Sequence, residues 1–469
     1  MLKKFLLAFL LLGVCLPAAR PQTAPAPGSA SEPASSGGIL VIDRLLQRLA
    51  VHKRMLVIGA HPDDEDNRLL TLVSRKMGAE VAYLSLSRGE GGQNLLGPHL
   101  GVPLGLIRTQ ELLAARRIDG GRQYFTRAYD FGFTRSLDET LSLWPKEVLL
   151  EDVTRIIRRF RPQVVVTVFS GTTRDGHGQH QASGVVGKEA AAADPAAFPD
   201  LEKEGLLPWK ISALFCCGYQ GPDVATIVLP TGAIDPLSGR SYHQIAMASR
   251  SNHRSQDMGA LQPPGPNEAR LAWVSGGVGK NARDPFDGVD TRLTAIAAGI
   301  SDPTRRAGVE EHLRRAEATV GEARSQLGPA ALDQTARSLA TALKELREAR
   351  GLVAPDHDSG ETASAAFLDE KITLAETALA AATQVTVDAV TDRDTVAPGD
   401  SLDVKIIVWN AGTDPARVEG VEVASPDGWN VAAAPVEPKD LAAGTLAEWT
   451  RKVSPAGAVP TIPYFLRRP

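Results

Sequence analysis

Two short apolar runs, MLVIGA at 55–60 and QVVVTVF at 163–169, constrain this chain most. Each is far too short for a membrane-spanning helix, and each ends abruptly at polar and helix-breaking residues. Both therefore read as strands buried on two faces. Between them the pattern changes period. Leu69–Met77 reads as a helix, Glu80–Ser87 as a second strand, and Arg108–Ile118 and Glu147–Phe160 as further helices, the last with apolar Val148, Leu149, Val153, Ile156 and Ile157. Ile39–Leu49 also has helical spacing. Strands alternating with helices predict an α/β fold with a mostly parallel sheet covered on both faces.

The residues just after each run are chemically unusual. The first run passes into AHPDDED, residues 60–66, and the second into SGTTRDGHGQH, residues 170–180. Ligands of parallel sheets gather at the carboxyl ends of strands. Two such ends here supply His61, His177 and His180 together with Asp63, Asp64, Glu65 and Asp66. Crowded carboxylates repel unless solvent, a helix N-terminus or a cation offsets them. Asp63–Asp66 standing alone reads equally as a helix cap, and His177 and His180 alone as loop histidines. Taken together they suit a divalent ion such as zinc, which takes three N or O ligands at catalytic sites and leaves a position for water. Two His and one Asp would serve, with a second acid to accept a proton. Neither an HExxH nor a GxxxxGK[ST] motif is present.

Charge excludes other roles. With 51 basic and 55 acidic residues the net charge is -4, which gives no electrostatic footprint for nucleic acid or an anionic membrane. The N-terminus, MLKKFLLAFLLLGVCLPAARPQ, has the layout of a secretory signal: Lys3 and Lys4, then an apolar run from Phe5 to Leu16, then small residues. Val14 sits where a lipoprotein box wants a small residue, which argues against lipid attachment at Cys15. The mature chain is expected to be exported (periplasmic, extracellular or cell-surface), without a transmembrane segment. It would keep Cys216 and Cys217, whose adjacency disfavours an ordinary disulfide; FCCGY reads as a buried strand end.

Composition divides the chain further. A signal peptide over 1–22 is followed by a Pro-, Ala- and Ser-rich linker over 23–38, then by the domain holding both strand ends, 39–285. Residues 286–384 form a helical segment, with two or three amphipathic helices expected from Asp302. Residues 385–469 alternate apolar and polar with turn signals, as a β-sandwich does. A complete immunoglobulin-like sandwich takes about 100 residues, so this β-sandwich is expected to be partial and the chain a fragment of a longer protein.

AHPDDE with a later HxxH resembles the PIG-L/LmbE family of zinc-dependent de-N-acetylases over roughly residues 53–275. LSRGEGGQN (86–94), RTQELLAAR (108–116) and SRSNHRSQ (249–256) are similar to that family too. The resemblance implies a Rossmann-like domain in which His61, Asp64 and His180 bind Zn2+ and Asp63 is the general base. It implies that protonated His177 stabilises the oxyanion or protonates the leaving amine. Gln179 departs from the pattern, since an acidic residue is common before the last His. It is expected not to touch the metal. The C-terminal β region, through PDGWNV (426–431), resembles immunoglobulin-like domains attached to carbohydrate-active enzymes.

Other residues are candidates for holding substrate. Arg88, Glu90, Gln93 and Asn94 lie in a Gly-rich loop after a strand, which could equally be an ordinary loop; Arg108 and His253 lie in the two further stretches. Glu65 is either a support for a ligand or a plain helix-start acid. His52 and His99 read as surface residues. The expected activity is removal of an N-acetyl group from an N-acetylated sugar or glycoconjugate. The alternatives are a metal-dependent amidase acting on a non-sugar N-acyl conjugate and a non-catalytic glycan-binding or scaffold protein.

Overall fold

The computed structural model describes residues 37–458 except 196, 218–224, 260–261, 355–358 and 434–436. The signal peptide, almost all of the linker, Cys15 and the final PYFLRRP lie outside the described residues. In chain order come α1 (Gly38–Leu49), β1 (Arg54–Gly59), α2 (Asn67–Arg75), β2 (Glu80–Ser85), α3 (Val102–Asp119), β3 (Arg122–Phe125), α4 (Leu137–Leu143) and α5 (Lys146–Phe160). Next are β4 (Val164–Thr167), α6 (Gly178–Ala192), α7 (Asp200–Lys203), β5 (Ala213–Cys217), β6 (Ile227–Pro230), α8 (Tyr242–Arg250) and β7 (Glu268–Gly276).

The seven strands form one sheet in the order β3-β2-β1-β4-β5-β7-β6. β1 pairs in parallel with β2 and β4, β2 with β3, and β4 with β5; β7 runs antiparallel to both β5 and β6. Every residue of β1, β2, β4 and β5 is buried. Alternate residues of these strands feed opposite cores. Met55, Val57, Val164, Val166 and Phe215 pack with Leu69, Leu72, Leu112 and Tyr242 of α2, α3 and α8. Leu56, Ile58, Val165 and Leu214 pack with Leu149, Val153, Ile156 and Val186 of α5 and α6. Each such side chain contributes roughly 1.5–3 kcal/mol by leaving water. The helices therefore cover both faces, and the loops after β1 and β4 emerge side by side because these strands are neighbours. Cys216 and Cys217 are free thiols buried in β5, as a strand-end reading requires.

The chain divides into two compact units. The first, residues 50–306 with 353–365, contains this sheet. The domain boundary drawn from the sequence, 39–285, differs at both ends. α1 belongs to the other unit: Arg324 Nε donates to Asp43 Oδ1 at 3.0 Å, and Lys371 Nζ donates to the Arg48 carbonyl at 2.5 Å. Beyond 285, the sheet-bearing unit keeps Ser364 Oγ on the Ile296 carbonyl at 2.7 Å and Arg305 on Glu361 at 2.8 Å. Long-range pairs of this kind leave no periodic trace in a sequence.

The second unit holds α1 and most of α9 (Pro303–Ser325), α10 (Leu332–Gly351) and α11 (Ser359–Thr383), which are three helices, the upper end of the two or three expected. It also holds β8 (Val385–Thr391), β9 (Leu402–Asn410), β10 (Ala416–Val418), β11 (Asn430–Val431), β12 (Lys439–Leu441) and β13 (Thr445–Ser454). These strands form antiparallel sheets in the orders β11-β13-β9-β8 and β10-β12. Val408, Leu441 and Ala447 are buried there against Val385, Val418 and Trp449. Among the described residues, no helix is long and apolar enough to cross a membrane.

Candidate active site

The loop after β1 makes two structures from one acidic run. Asp66 caps α2, its side chain accepting from the backbone N–H of Arg68 and Leu69. Asp64 turns the other way: its Oδ2 accepts from the N–H of Ala60 at 3.0 Å and of His61 at 2.7 Å. The acidic run thus divides: Asp66 caps the helix, and Asp64 faces His61 and His180. Asp63, between them, has φ of 99°, a left-handed conformation that strains a residue with a side chain.

The loop after β4 brings the second half. His177 is the N-cap of α6 and His180 lies in its first turn. Gly178 permits this close start, since a Cβ there would overlap the Ser136 carbonyl. His61, Asp64 and His180 each offer a ligand atom, all within 4.8 Å of one another. His180 Nδ1 faces the Asp175 carbonyl at 3.2 Å, which leaves Nε2 toward Asp64 Oδ1 at 3.6 Å. His61 Nδ1 lies 3.3 Å from Asp64 Oδ2. His177 stacks on His61 with ring centroids 5.2 Å apart, and Phe169 stacks on His180 at 4.0 Å. Two imidazoles and a carboxylate, oriented and converging, are a fitting donor set for a divalent cation.

Burial and charge set the protonation states. Burial lowers the His61 pKa, but the Asp64 carboxylate and then Asp130 outweigh it and hold it near 9, so a cation taken up there would displace the Nδ1 proton. Burial pushes the Asp63 carboxyl up to about 6 against the pull of Arg108. Burial would raise Asp64 too, yet His180 and His61 hold it well below the usual carboxylate range. Burial, then His61 and His180, bring His177 down to about 4. That direction disfavours the protonated His177 that the family resemblance implies.

Several substrate candidates turn out to be supports. Arg108 is 3 % exposed and donates to Gly89 O at 3.2 Å, Pro62 O at 2.5 Å and Asp63 Oδ1 at 3.0 Å. Gly89 is required there, at φ 73°, because a Cβ would overlap the Arg108 guanidinium. Arg88 is buried over the Phe125 ring, and buried Glu90 accepts from the N–H of Arg88 and Asp130. His253 is 0 % exposed, with Nε2 at 2.7 Å from Glu65 Oε1. Gln93 is exposed and Asn94 half-buried, with Asn94 Nδ2 on the His99 carbonyl. His52, expected at the surface, is buried. Glu65 is a support: its Oε2 accepts from Asp63 N–H at 2.9 Å, while Oε1 meets Arg116 at 3.1 Å. His253 and then Arg116 bring its carboxyl to about 2 despite burial.

Other residues went unread in the sequence. Arg250, at the end of α8, donates to the Asp63 carbonyl at 3.0 Å. A cleft of about 450 Å³ opens beside the site, lined by Asp63, Asp64, His180, Phe169, Met247 and Arg250 among others. Gln179, noted in the sequence as a departure not expected to touch the metal, has its Oε1 2.5 Å from His61 Nε2. Only SRSNHRSQ and the departure in HGQH signalled these positions.

Two stretches of the chain are similar to known protein families. Residues 56–191 match the PIG-L family, described as GlcNAc-PI de-N-acetylase. Residues 396–467 match the NPCBM-associated, NEW3 domain of alpha-galactosidase. A 1D-myo-inositol 2-acetamido-2-deoxy-alpha-D-glucopyranoside deacetylase from Geodermatophilus obscurus is 31% identical over 185 residues, covering 35% of this chain and 61% of that protein. A probable N-acetyl-alpha-D-glucosaminyl L-malate deacetylase 2 from Bacillus subtilis is 31% identical over 135 residues, covering 27% of this chain and 54% of that protein. The solved N,N'-diacetylchitobiose deacetylase from Pyrococcus horikoshii is 21% identical with a TM-score of 0.34, over 47% of this chain and 76% of that one. The chain thus spans little more than half the length of the curated relatives it matches.

Proposed function

From the premise that residues 56–191 are a PIG-L-type domain, we propose that this protein is an exported, zinc-dependent hydrolase that removes the acetyl group from an N-acetylated amino sugar or glycoconjugate. The observation that carries the reading is the convergence of His61, Asp64 and His180 within 4.8 Å beside the strained Asp63. The sugar is suggested by the relatives, whose names specify deacetylation of glucosamine conjugates. The match of residues 396–467 to a domain associated with alpha-galactosidase supports a glycan context. Export is supported by Lys3, Lys4 and the apolar run after them.

His61, Asp64 and His180 would hold the ion, which when bound supplies Lewis-acid polarisation of the acetyl carbonyl and lowers the pKa of the attacking water. Asp63 accepts that water's proton. A carboxyl near 6 is ionised at neutral pH and more basic than an ordinary one. His177, whose Nδ1 lies 3.2 Å from the Thr134 carbonyl and 3.4 Å from Gln179 N, keeps Nε2 for the reacting groups, where a proton on it stabilises the developing oxyanion. The proton held by Asp63 then passes to the departing amine. The products are an amino sugar and acetate.

The test is acetate release by zinc-loaded and metal-stripped protein from a panel of N-acetyl amino sugars and N-acetyl amino acids. Turnover of the sugars, lost on stripping and restored by zinc, is expected. Turnover of the amino acids alone, or none by the zinc-loaded protein, would sink the proposal.

A further inference from the structure

The position at which this chain departs from the family pattern is the one that touches a metal ligand. Gln179 is 0 % exposed and lies between His61 and Asp130. Its Nε2 donates to Asp130 Oδ1 at 3.2 Å and to the Gly132 carbonyl at 3.0 Å. Both of these partners are acceptors, so the amide cannot be turned over without placing oxygen against oxygen twice. Oε1 must then be the atom that meets His61 Nε2 at 2.5 Å, and Nε2 of His61 must carry the proton. Asp130 is itself fixed: its Oδ1 accepts from Gly132 N–H at 2.8 Å, and its own N–H donates to Glu90 Oε2 at 3.1 Å.

We propose that Gln179 and Asp130 form a positioning relay that commits His61 to one tautomer, with Nε2–H on the glutamine and the Nδ1 lone pair toward the metal. The proposal rests on the reading of His61 as a ligand. A carboxylate accepting directly from a ligand histidine is the common arrangement. In this chain a neutral carboxamide stands between, and the carboxylate is moved one residue further back, with Asp130 Oδ2 at 4.0 Å from His61 Nε2. The relay explains why a buried glutamine is tolerated beside the site: both ends of its amide are used. It also explains Glu90, one of the sequence's substrate candidates, which through Asp130 N–H belongs to the same support. Gln179 and Asp130 are positioning residues: Asp130 is not among the clustered ligand groups, and both ends of the Gln179 amide are taken up by His61, Asp130 and Gly132.

The experiment measures zinc affinity by chelator competition for wild type, Gln179→Leu, Asp130→Ala and the double variant, with circular dichroism as the folding check. Loss of a partner behind a metal-ligating histidine typically costs about 10–100-fold in affinity. Gln179→Leu is expected to fall by that much, and Asp130→Ala by less, because the glutamine remains but can turn. The double variant should be no weaker than Gln179→Leu alone, since both act on one imidazole. Imidazole nitrogen NMR of zinc-loaded wild type, which needs no variant, should show His61 metallated at Nδ1 and protonated at Nε2. Metallation at Nε2, an unchanged affinity in Gln179→Leu, or losses that multiply in the double variant would overturn the relay. Wild-type protein that binds no zinc would overturn the functional reading and the relay with it.

Discussion

The support behind the site in the sheet-bearing unit and the surface ion pairs of the C-terminal β region treat charge in opposite ways. In the first, Arg116 is 4 % exposed and is held by Asp119 at 2.6 Å and Glu65 at 3.1 Å, both carboxylates sealed from water. Ser249 and Asn67 complete the cluster, Ser249 Oγ reaching Asp119 Oδ2 at 2.7 Å and Asn67 Nδ2 reaching Ser249 Oγ at 3.1 Å. In the β region the ion pairs Lys405–Glu448 and Lys452–Asp403 stand in solvent, with side chains 43–58 % exposed. Exposed pairs contribute little, whereas a buried pair that loses one partner strands the other. The buried cluster reaches the site through Glu65, which also holds the Asp63 N–H. Charge is therefore buried where a geometry has to be kept, and left in water where only solubility is served.

This contrast can be broken most forcefully at Arg116. Arg116→Met leaves Asp119 buried without its cation and Glu65 with His253 alone, and should destabilise the sheet-bearing unit by about 3–5 kcal/mol. Hydrogen exchange of the amides in β1 and α2 would read it; a change below about 1 kcal/mol would break the comparison.

Arg250 sharpens it at a smaller scale. This side chain sits in the cleft wall and holds the carbonyl of strained Asp63. Hydrogen bonds to charged groups are worth about 1.5–3 kcal/mol, so Arg250→Met should lower kcat about 10- to 100-fold while stability changes little. Steady-state kinetics on an N-acetyl amino sugar with a melting curve alongside would check this. Wild-type kcat would show that the carbonyl contact positions nothing. At the small end, Lys405→Met should leave both the melting midpoint and kcat unaltered, and a clear fall in either would show that the surface pair does more than its exposure allows.

The sequence carried the skeleton of the site because its key residues come directly after strand ends. HPDD and HxxH are legible since buried runs such as MLVIGA and VVVT are continuous and stop abruptly. β3 was missed because four residues carry no period. The antiparallel β7, EARLAWVSG, went unread, although it alternates over part of its length. Gln179, Asp130 and Arg250 act across separations of 118, 49 and 187 residues. Pairings of that span follow from topology, which no local pattern records. Arg108 and His253 were found, but not that both are buried on protein partners, since a sequence marks a polar residue near a site without saying whether it faces the cleft or the core.

On the proposed reading one of the two adjacent acids would hold a metal and the other would move a proton, and the function turns on that division. Asp64 is fixed by the N–H groups of Ala60 and His61 toward His180, while Asp63 meets Arg108 and lines the cleft. Zinc content and acetate release should be measured side by side on Asp64→Ala and Asp63→Asn. Asp64→Ala should lose zinc and activity together. Asp63→Asn should keep its zinc while turnover drops by roughly 10²- to 10⁴-fold. Zinc retained by Asp64→Ala and lost by Asp63→Asn would contradict the account and exchange the two roles.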